Sequence, residues 1–233
     1  MIYPLVSVIC PTHDRPEFVE RSVELFSDQD YPNKELVIVD SGARTPKLPP
    51  SVTYLRAPRN SINEKVYLGW EAAKGAILCD WEDDEYYGPR RISAQVDPIL
   101  AGQTSVTGIG DPVMVWLPGV HFSIPRTWCD AAHGDRKLWW RRGGVHEGTR
   151  CFRREVLERF TPDEGRSFSK MGWLQRVEAA GDQVTKVQNE GHWIHVRHGG
   201  NCVPLGAPNP LDHIRKPEWV PAKQLEFWRT FKA

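Results

Sequence analysis

The chain has 233 residues, 40% of them hydrophobic, and its 30 Lys and Arg balance its 30 Asp and Glu. This length suits a single α/β domain over residues 1–233, and no apolar run is long enough to span a bilayer. The 5 cysteines are scattered without a CxxC pair, and the first residues lead directly into a strand without a basic leader. We therefore expect a cytoplasmic protein with reduced thiols and no cysteine zinc site.

Strands and helices alternate in the prediction for the first half of the chain. Four short apolar runs predict buried strands, at Leu5–Cys10, Leu36–Val39, Val52–Leu55 and Ala76–Cys79. Apolar residues at helical spacing predict helices after the first, third and fourth of these strands. Asp14 with Glu17, and Ser61 with Glu64, have the spacing of a capping box, so we expect each pair to start a helix. This alternation predicts an open, mostly parallel sheet.

The second half of the chain has fewer regular patterns. Ser105–Leu117 has the character of an extended segment, whereas Arg153–Phe160 and Met171–Ala180 have helical spacing. The 5 prolines within residues 203–221 exclude regular structure there. Beyond them, Leu225, Trp228 and Phe231 predict a short closing helix.

Acidic residues follow three of the predicted strands, at Asp14, at Asp40 and at Glu82–Glu85. In an open α/β sheet, ligands bind at the carboxyl ends of the strands, so these side chains are expected at a binding edge. Four adjacent carboxylates repel one another, and a divalent cation would relieve that repulsion. Oxygen ligands favour Mg²⁺ or Mn²⁺. A solvated acidic turn is the alternative interpretation of the same run.

Two long stretches resemble the family 2 glycosyltransferases of the GT-A fold. They are PLVSVICPTHDRPEFVERSVELFSDQDYPNKELVIVDSG and SINEKVYLGWEAAKGAILCDWEDDEYYGPRRI, which together cover about residues 4–92. The shared features are a Pro-Thr turn after the first strand, an aspartate after the second, a lysine-containing helix and an acidic cluster followed by aromatics and a proline. The segment RCFRREVLERF resembles the acceptor-side part of the same family more weakly.

This resemblance implies an α/β, Rossmann-like GT-A fold, in which helices flank an open mixed, mostly parallel sheet. Residues 1–100 would form the half that binds a nucleotide-sugar. Residues 101–233 would form an elaborated acceptor half with a proline-rich C-terminal tail. The implied reaction is metal-dependent transfer of a sugar from a nucleotide-sugar, a UDP-sugar first, to an acceptor hydroxyl with inversion.

The resemblance also implies roles for particular residues. The residues expected at the nucleotide-sugar are Pro11, Thr12, Asp14, Asp40, Lys65, Glu82 and Asp83. Asp84 would bind Mn²⁺ or Mg²⁺, and His198 would complete the metal shell. Glu82 occupies a position where the family usually has aspartate. Glutamate keeps the negative charge but has a longer side chain. Two alternatives stay open from the residues alone, namely a turn-forming Asp40 and a solvated helical Lys65.

The sequence departs from the family pattern at the position expected for the catalytic base. Ser169 and Lys170 stand about where the family has an acidic pair, and lysine cannot act as a base unless burial lowers its pKa. Glu164, with its neighbour Asp163, and Glu147 in the GGVHEGT loop are the remaining candidates. If no base is present, the chain is a non-catalytic nucleotide-sugar or saccharide-binding module on the same fold.

The charge distribution bears on the acceptor. Residues 1–100 carry 11 Lys and Arg against 16 Asp and Glu, a net charge of −5, and residues 101–233 carry 19 against 14, a net charge of +5. The basic half suits an anionic acceptor such as DNA, although a saccharide or small molecule ranks first and an ordinary solvated surface also explains the division. Neither the spacing of a metal-dependent nuclease nor the glycine-rich phosphate loop of a nucleotidyltransferase is present.

Overall fold

A computed structural model describes residues 3–58, 61–123, 145–159, 170–199 and 214–230 of the chain. Its strands are β1 (Val6–Thr12), β2 (Lys34–Asp40), β3 (Thr53–Arg56), β4 (Ile77–Asp80), β5 (Tyr86–Tyr87), β6 (Val106–Ile109), β7 (Val113–Trp116), β8 (His121–Ser123), β9 (Cys151–Arg153), β10 (Val184–Val187) and β11 (Trp193–Arg197). Its helices are α1 (Pro16–Ser27), α2 (Ile62–Ala72), α3 (Arg91–Leu100), α4 (Arg154–Arg159), α5 (Lys170–Ala179) and α6 (Ala222–Arg229). No helix in these ranges has both the length and the apolar character that a membrane crossing requires.

The main sheet has the strand order β10-β6-β9-β4-β1-β2-β3. Strand β9 runs antiparallel to both of its neighbours, and every other pairing in this sheet is parallel. All residues of β1 are buried, as expected for a central strand covered on both faces. The predicted α/β fold with a mixed, mostly parallel sheet is confirmed.

Strand register brings the predicted binding residues to one edge of this sheet. Thr12 at the end of β1 pairs with Asp40 at the end of β2. On the other side of β1, Ile9 pairs with Asp80, the last residue of β4. The chain therefore leaves β4 at the same edge and enters the run Glu82–Glu85 there.

A second, smaller sheet, with the order β5-β11-β7-β8, was not predicted from the sequence. Its first strand, β5, is only two residues long and directly follows the acidic run. Antiparallel pairing of Trp193 with Tyr87 and of Ile194 with Tyr86 brings β11 against that run. The predicted extended segment Ser105–Leu117 is divided between the two sheets, since β6 lies in the large one and β7 in the small one.

Helix starts agree with the sequence at one position and differ at another. The Ser61 hydroxyl accepts a hydrogen bond from the Glu64 amide at 3.4 Å, as its capping box predicted. The cap predicted for Asp14 is wrong, because α1 begins at Pro16 with Arg15 as its N-cap residue and without a side-chain cap. Asp14 instead has a φ of +53°. Its carboxylate accepts the amides of Ala43 and Arg44, so it stabilises the turn after β2 rather than the helix.

In the second half, the predicted helices are confirmed at α4, α5 and α6, and the ends of α5 differ from the prediction by one residue. Phe160 and Phe231, which the predictions included, lie outside the described residues. Much of the proline-rich stretch lies outside the described residues, and its residues 214–221 contain no helix or strand. The side chain of Trp228 in α6 is fully buried and contacts Phe122 edge to face at 5.9 Å between ring centroids. This contact packs the closing helix against the small sheet.

A buried ion pair joins β4 to the residue that precedes β9. The Arg150 guanidinium donates two hydrogen bonds to Oδ2 of Asp80, one of them at 2.7 Å, and both side chains are at most 2% exposed. The same guanidinium lies over the rings of Trp70 and Trp173, at 5.4 and 5.0 Å from their centroids. Because a buried charge needs a partner, removing either residue leaves the other uncompensated.

We expect Arg150→Met to lower the free energy of unfolding by about 3–5 kcal/mol, because the Asp80 carboxylate would stay buried without its cation. Urea unfolding followed by circular dichroism measures this loss. The matched control is Arg159→Met, which removes the exposed partner of Asp182 and should cost at most about 1 kcal/mol. Equal losses in the two variants would contradict the prediction, and the double variant Asp80→Asn/Arg150→Met should regain part of the loss.

Candidate functional site

The end of β1 contacts the acidic run directly. The Thr12 hydroxyl donates a hydrogen bond to Oδ2 of Asp83 at 2.6 Å, and both side chains are buried. Pro11 is buried in the strand and pairs with Val39 of β2. The structure thus brings Pro11, Thr12 and Asp83, three of the predicted nucleotide-sugar residues, to one position at the sheet edge.

Arg15 is a site residue that the sequence analysis missed. Its guanidinium donates one hydrogen bond to Oδ1 of Asp83 at 2.6 Å and another to Oδ2 of Asp84 at 2.8 Å. Its position in the sequence could have identified it, because it lies shortly after the predicted first strand and just before the first helix. There Arg15 is the N-cap residue of α1, and its side chain faces the acidic run. A cation that compensates the acidic run therefore comes from 68 and 69 residues earlier in the chain than the two carboxylates it contacts.

His198, the predicted metal ligand, lies against Asp84 as expected. Its Nε2 is 3.0 Å from Oδ2 of Asp84, the same oxygen that Arg15 contacts. The His198 ring stacks on Phe18 of α1 with 5.0 Å between the ring centroids. The residue that follows β11 and a helix of the first half are thereby joined at Asp84.

The protein environment shifts the pKa values of Asp83 and Asp84 in opposite directions. Burial raises the pKa of Asp83 to about 7; Arg15 opposes this rise and Asp84 adds to it. Burial alone would also raise the pKa of Asp84, but the His198 hydrogen bond and the charge of Arg15 hold that pKa well below its usual range. Asp84 is accordingly the carboxylate that stays ionised and ready to bind a cation.

Glu85 occupies a more enclosed position. Its carboxyl group is hydrogen-bonded to Nδ1 of His195 at 2.7 Å, to Nε1 of Trp193 at 2.9 Å and to the amide of Val196 at 3.1 Å. Burial and the charges of Asp84 and Glu82 raise the pKa of Glu85 well above its usual value. Burial lowers the pKa of His195 to about 4, so the imidazole is neutral. Glu85 thus anchors β11 beside the acidic run.

One oxygen from each of Glu82, Asp84 and Glu85 lies within 4.8 Å of the other two, a spacing that a metal ion could bridge. These hard oxygen donors fit Mg²⁺ or Mn²⁺ rather than a softer metal. Both oxygens of Glu85 are already hydrogen-bonded within the protein, as described above. Asp84 is held ionised and Glu82 is only half-buried, so these two are the better placed ligands of the three.

Glu147 lies near this group as part of a short 3-10 turn, Glu147–Thr149. Its neighbour Gly148 packs so closely on Glu82 that a Cβ atom at Gly148 would lie 2.6 Å from Oε1 of that carboxylate. The Asp80–Arg150 ion pair holds the residue that follows this turn. Glu164 and Asp163, the other candidates for the base, lie outside the described residues, as does Ser169.

Asp40 and Lys65 make contacts within the protein rather than facing open solvent. Oδ1 of Asp40 accepts the amide of Gly42 at 2.7 Å, and Oδ2 accepts the Tyr54 hydroxyl at 2.8 Å and Arg56 at 3.3 Å. The turn-forming interpretation of Asp40 therefore holds, whether or not it also contacts a nucleobase. The Lys65 ammonium donates to the Thr12 carbonyl oxygen at 2.7 Å and is 3% exposed, so the solvated interpretation of this lysine is wrong.

Comparison with known proteins agrees with this geometry. A family model described as "Glycosyl transferase family 2" matches residues 7–161. Over 104 residues the chain is 29% identical to the "Putative colanic acid biosynthesis glycosyl transferase WcaA" of Escherichia coli (strain K12), a match that covers 39% of this chain and 36% of that protein. The chain thus corresponds to little more than a third of that relative.

Two groups of solved structures have a similar fold. The mannosyltransferase PcManGT from Pyrobaculum calidifontis, in complex with GDP-Man and Mn²⁺, has a TM-score of 0.58 and 20% identity over 84% of this chain and 57% of that one. Residues 1–349 of S. aureus TarS, in complex with UDP-GlcNAc, have a TM-score of 0.62 and 15% identity over 84% and 59% of the two chains. At these identities the likeness shows the GT-A fold alone.

We expect Asp83→Asn to stabilise the metal-free protein near pH 8 and to have little effect near pH 4. Between the unfolded pKa of about 3.9 and the folded value of about 7, only the folded parent holds a proton on Asp83. The contribution of Asp83 to the free energy of unfolding therefore falls by up to about 1.4 kcal/mol per pH unit as the pH rises from 4 to 7. Above pH 7 this contribution stays constant.

Urea unfolding in EDTA across this pH range measures the difference between variant and parent. Asp28→Asn, at an exposed position, controls for the loss of one carboxylate. A difference between Asp83→Asn and the parent that does not grow with pH would contradict the raised pKa of Asp83.

Proposed function

Because the chain belongs to glycosyl transferase family 2, we propose that it is a glycosyltransferase that uses a UDP-sugar and Mn²⁺ or Mg²⁺ and transfers the sugar with inversion to an acceptor hydroxyl. The acidic run at the carboxyl edge of the sheet carries this proposal. There Asp84 is buried, kept ionised by Arg15 and His198, and shares its surroundings with Glu82. A solvated acidic turn would not need such compensation.

The residues that would hold the cation are Asp84 and Glu82, with His198 beside them. When bound there, the cation would neutralise the charge that develops on the departing nucleoside diphosphate. The protein contributes a pre-formed edge, since Asp84 already has its orientation from two hydrogen-bonded neighbours. We propose that residues 1–100 supply this donor side and residues 101–233 the acceptor side of one domain.

The choice of nucleotide rests on the family resemblance and on the turn after β2. The two similar structures contain different donors, GDP-Man in one and UDP-GlcNAc in the other. We propose uridine, with Asp40 accepting the imide N–H of the base and Lys65 supporting the end of β1 beneath the nucleotide. Because the Asp40 oxygens already accept four side-chain or backbone donors within the protein, base binding would add to or replace one of these contacts.

The base that removes the acceptor proton is proposed to be Glu147 or Glu164. Glu147 is half-buried in the turn that packs on Glu82, which supports it among the described residues. A carboxylate close to the reaction centre can act as a general base if it reaches the attacking hydroxyl. A binding module without this base remains the second candidate function, and detectable sugar transfer would exclude it.

For the acceptor, a saccharide or a small molecule ranks first and an anionic polymer such as DNA second. Residues 126–159 carry 9 Lys and Arg against 5 Asp and Glu, which supports contact with an anion. Most of this stretch lies outside the described residues, so the proposal for the acceptor rests on composition.

We expect Asp84→Asn to reduce Mn²⁺-dependent release of UDP from a UDP-sugar by about 100-fold or more, because the ionised carboxylate would be lost from the cation site. A coupled assay for UDP measures the release with and without an acceptor mixture. Asp97→Asn, at an exposed position of α3, should behave as the parent does. Full activity of the parent in excess EDTA would contradict the metal requirement.

We expect UDP to bind at least about tenfold more tightly than GDP or TDP in the presence of Mn²⁺, and Asp40→Asn to weaken UDP binding about tenfold, because a charged acceptor for the base is lost. Isothermal calorimetry measures both effects. The matched variant Tyr54→Phe removes one hydrogen bond to Asp40 and keeps its charge, so its UDP affinity should stay close to that of the parent. Tighter binding of GDP or TDP would show the uridine assignment to be wrong.

A further inference from the structure

Arg15 bridges two buried carboxylates while remaining partly accessible itself. Its side chain is 24% exposed, whereas the side chains of Asp83 and Asp84 are 2% and 8% exposed. The contacts are short and charge-assisted, at 2.6 and 2.8 Å, and they use two different guanidinium nitrogens. Each carboxylate receives a single hydrogen bond, and the same planar guanidinium fork could instead donate to two oxygens of one phosphate group.

This position places Arg15 in competition with a cation. Oδ2 of Asp84 is contacted by both Arg15 and His198, at 2.8 and 3.0 Å, so a metal ion that takes this oxygen must displace a present partner. A divalent cation and a guanidinium also repel each other at such short range. Without another anion nearby, Arg15 would therefore oppose metal binding.

A nucleoside diphosphate supplies that anion. It would approach the same sheet edge, where Arg15 stands at the amino-terminal end of the 12-residue helix α1, a place that favours phosphate. The Arg15 guanidinium also lies over Phe18, at 5.5 Å from the ring centroid, and His198 stacks on the same ring. Arg15 can therefore leave Asp84 while Phe18 continues to hold His198 beside it.

We propose that Arg15 exchanges Asp83 and Asp84 for the diphosphate of the donor, and so couples cation binding to donor binding. This inference rests on the proposed metal-dependent, nucleotide-sugar function. It gives Arg15 two effects of opposite sign. Arg15 weakens the binding of a cation alone, and it strengthens the binding of the nucleotide once the cation is present. Binding of the two is then cooperative, as linkage requires.

The test measures these two affinities separately in the parent and in Arg15→Ala. Mn²⁺ alone is titrated and followed by electron paramagnetic resonance. The nucleotide, either UDP or GDP according to which binds the parent more tightly, is then titrated by calorimetry at saturating Mn²⁺. We expect Arg15→Ala to bind Mn²⁺ alone about tenfold more tightly than the parent and to bind the nucleotide with Mn²⁺ about tenfold more weakly.

The matched control is Arg90→Ala. Arg90 is also the N-cap residue of a helix, α3, without a side-chain cap. Its side chain is 70% exposed, and its ion-pair partner is Asp30 rather than a carboxylate of the acidic run. Its variant should keep both parent affinities. If Arg15→Ala fails to fold by circular dichroism, Arg15→Gln replaces it, because it removes the charge and keeps hydrogen-bond donors, and the same two shifts are expected.

The possible results separate the inference from the function on which it rests. A folded Arg15 variant that binds Mn²⁺ alone no more tightly than the parent overturns the inference, while Mn²⁺-dependent nucleotide binding by the parent still supports the proposed function. Weaker binding of both Mn²⁺ alone and the nucleotide would also overturn the inference. That result would mean that Arg15 only stabilises the structure of the site. A parent that binds nucleotide equally with Mn²⁺ and with EDTA would refute the metal-dependent function together with the inference.

Discussion

Repulsion among the adjacent carboxyl groups of Glu82–Glu85 is the constraint on which the rest of the site depends. These groups follow a fully buried strand, so water cannot screen them well, and each needs a partner from the protein. Arg15 and His198 compensate Asp84, Thr12 donates to Asp83, and β11 donates to Glu85. The partners come from both ends of the described chain, so the site exists only when the whole domain is folded.

The small sheet follows from the same constraint. Strand β5 is two residues long and would be unstable alone, but it joins β11, whose residues hold Glu85. Burial raises the pKa of Glu85, and this carboxyl group anchors β11 through its hydrogen bonds to Trp193, His195 and Val196. Asp84, next to it, keeps its charge because the hydrogen bond from His198 and the charge of Arg15 lower its pKa. Neighbouring residues of one run thereby divide into an anchor and a candidate cation ligand.

A second set of contacts shapes the turn after β2, where the nucleobase is proposed to bind. Gly42 is required there, because a Cβ atom would lie 2.2 Å from the backbone nitrogen of Asp14. Asp14, with its positive φ, and Asp40 both accept amides of this turn. These contacts define one conformation of the turn, which would reduce the ordering cost of binding the proposed nucleobase there.

The sequence by itself determined the alternation of strands and helices, the sheet edge and the identity of the acidic run, because apolar periodicity and strand ends are local properties. It also placed His198 with Asp84, through the family resemblance. It did not reveal Arg15, the role of Asp14 in the turn or the small sheet. Those depend on contacts between residues 29 to 108 positions apart, which no local pattern encodes. Only the tertiary structure decides them, because burial and the demand for charge partners act between segments that meet after the chain has folded.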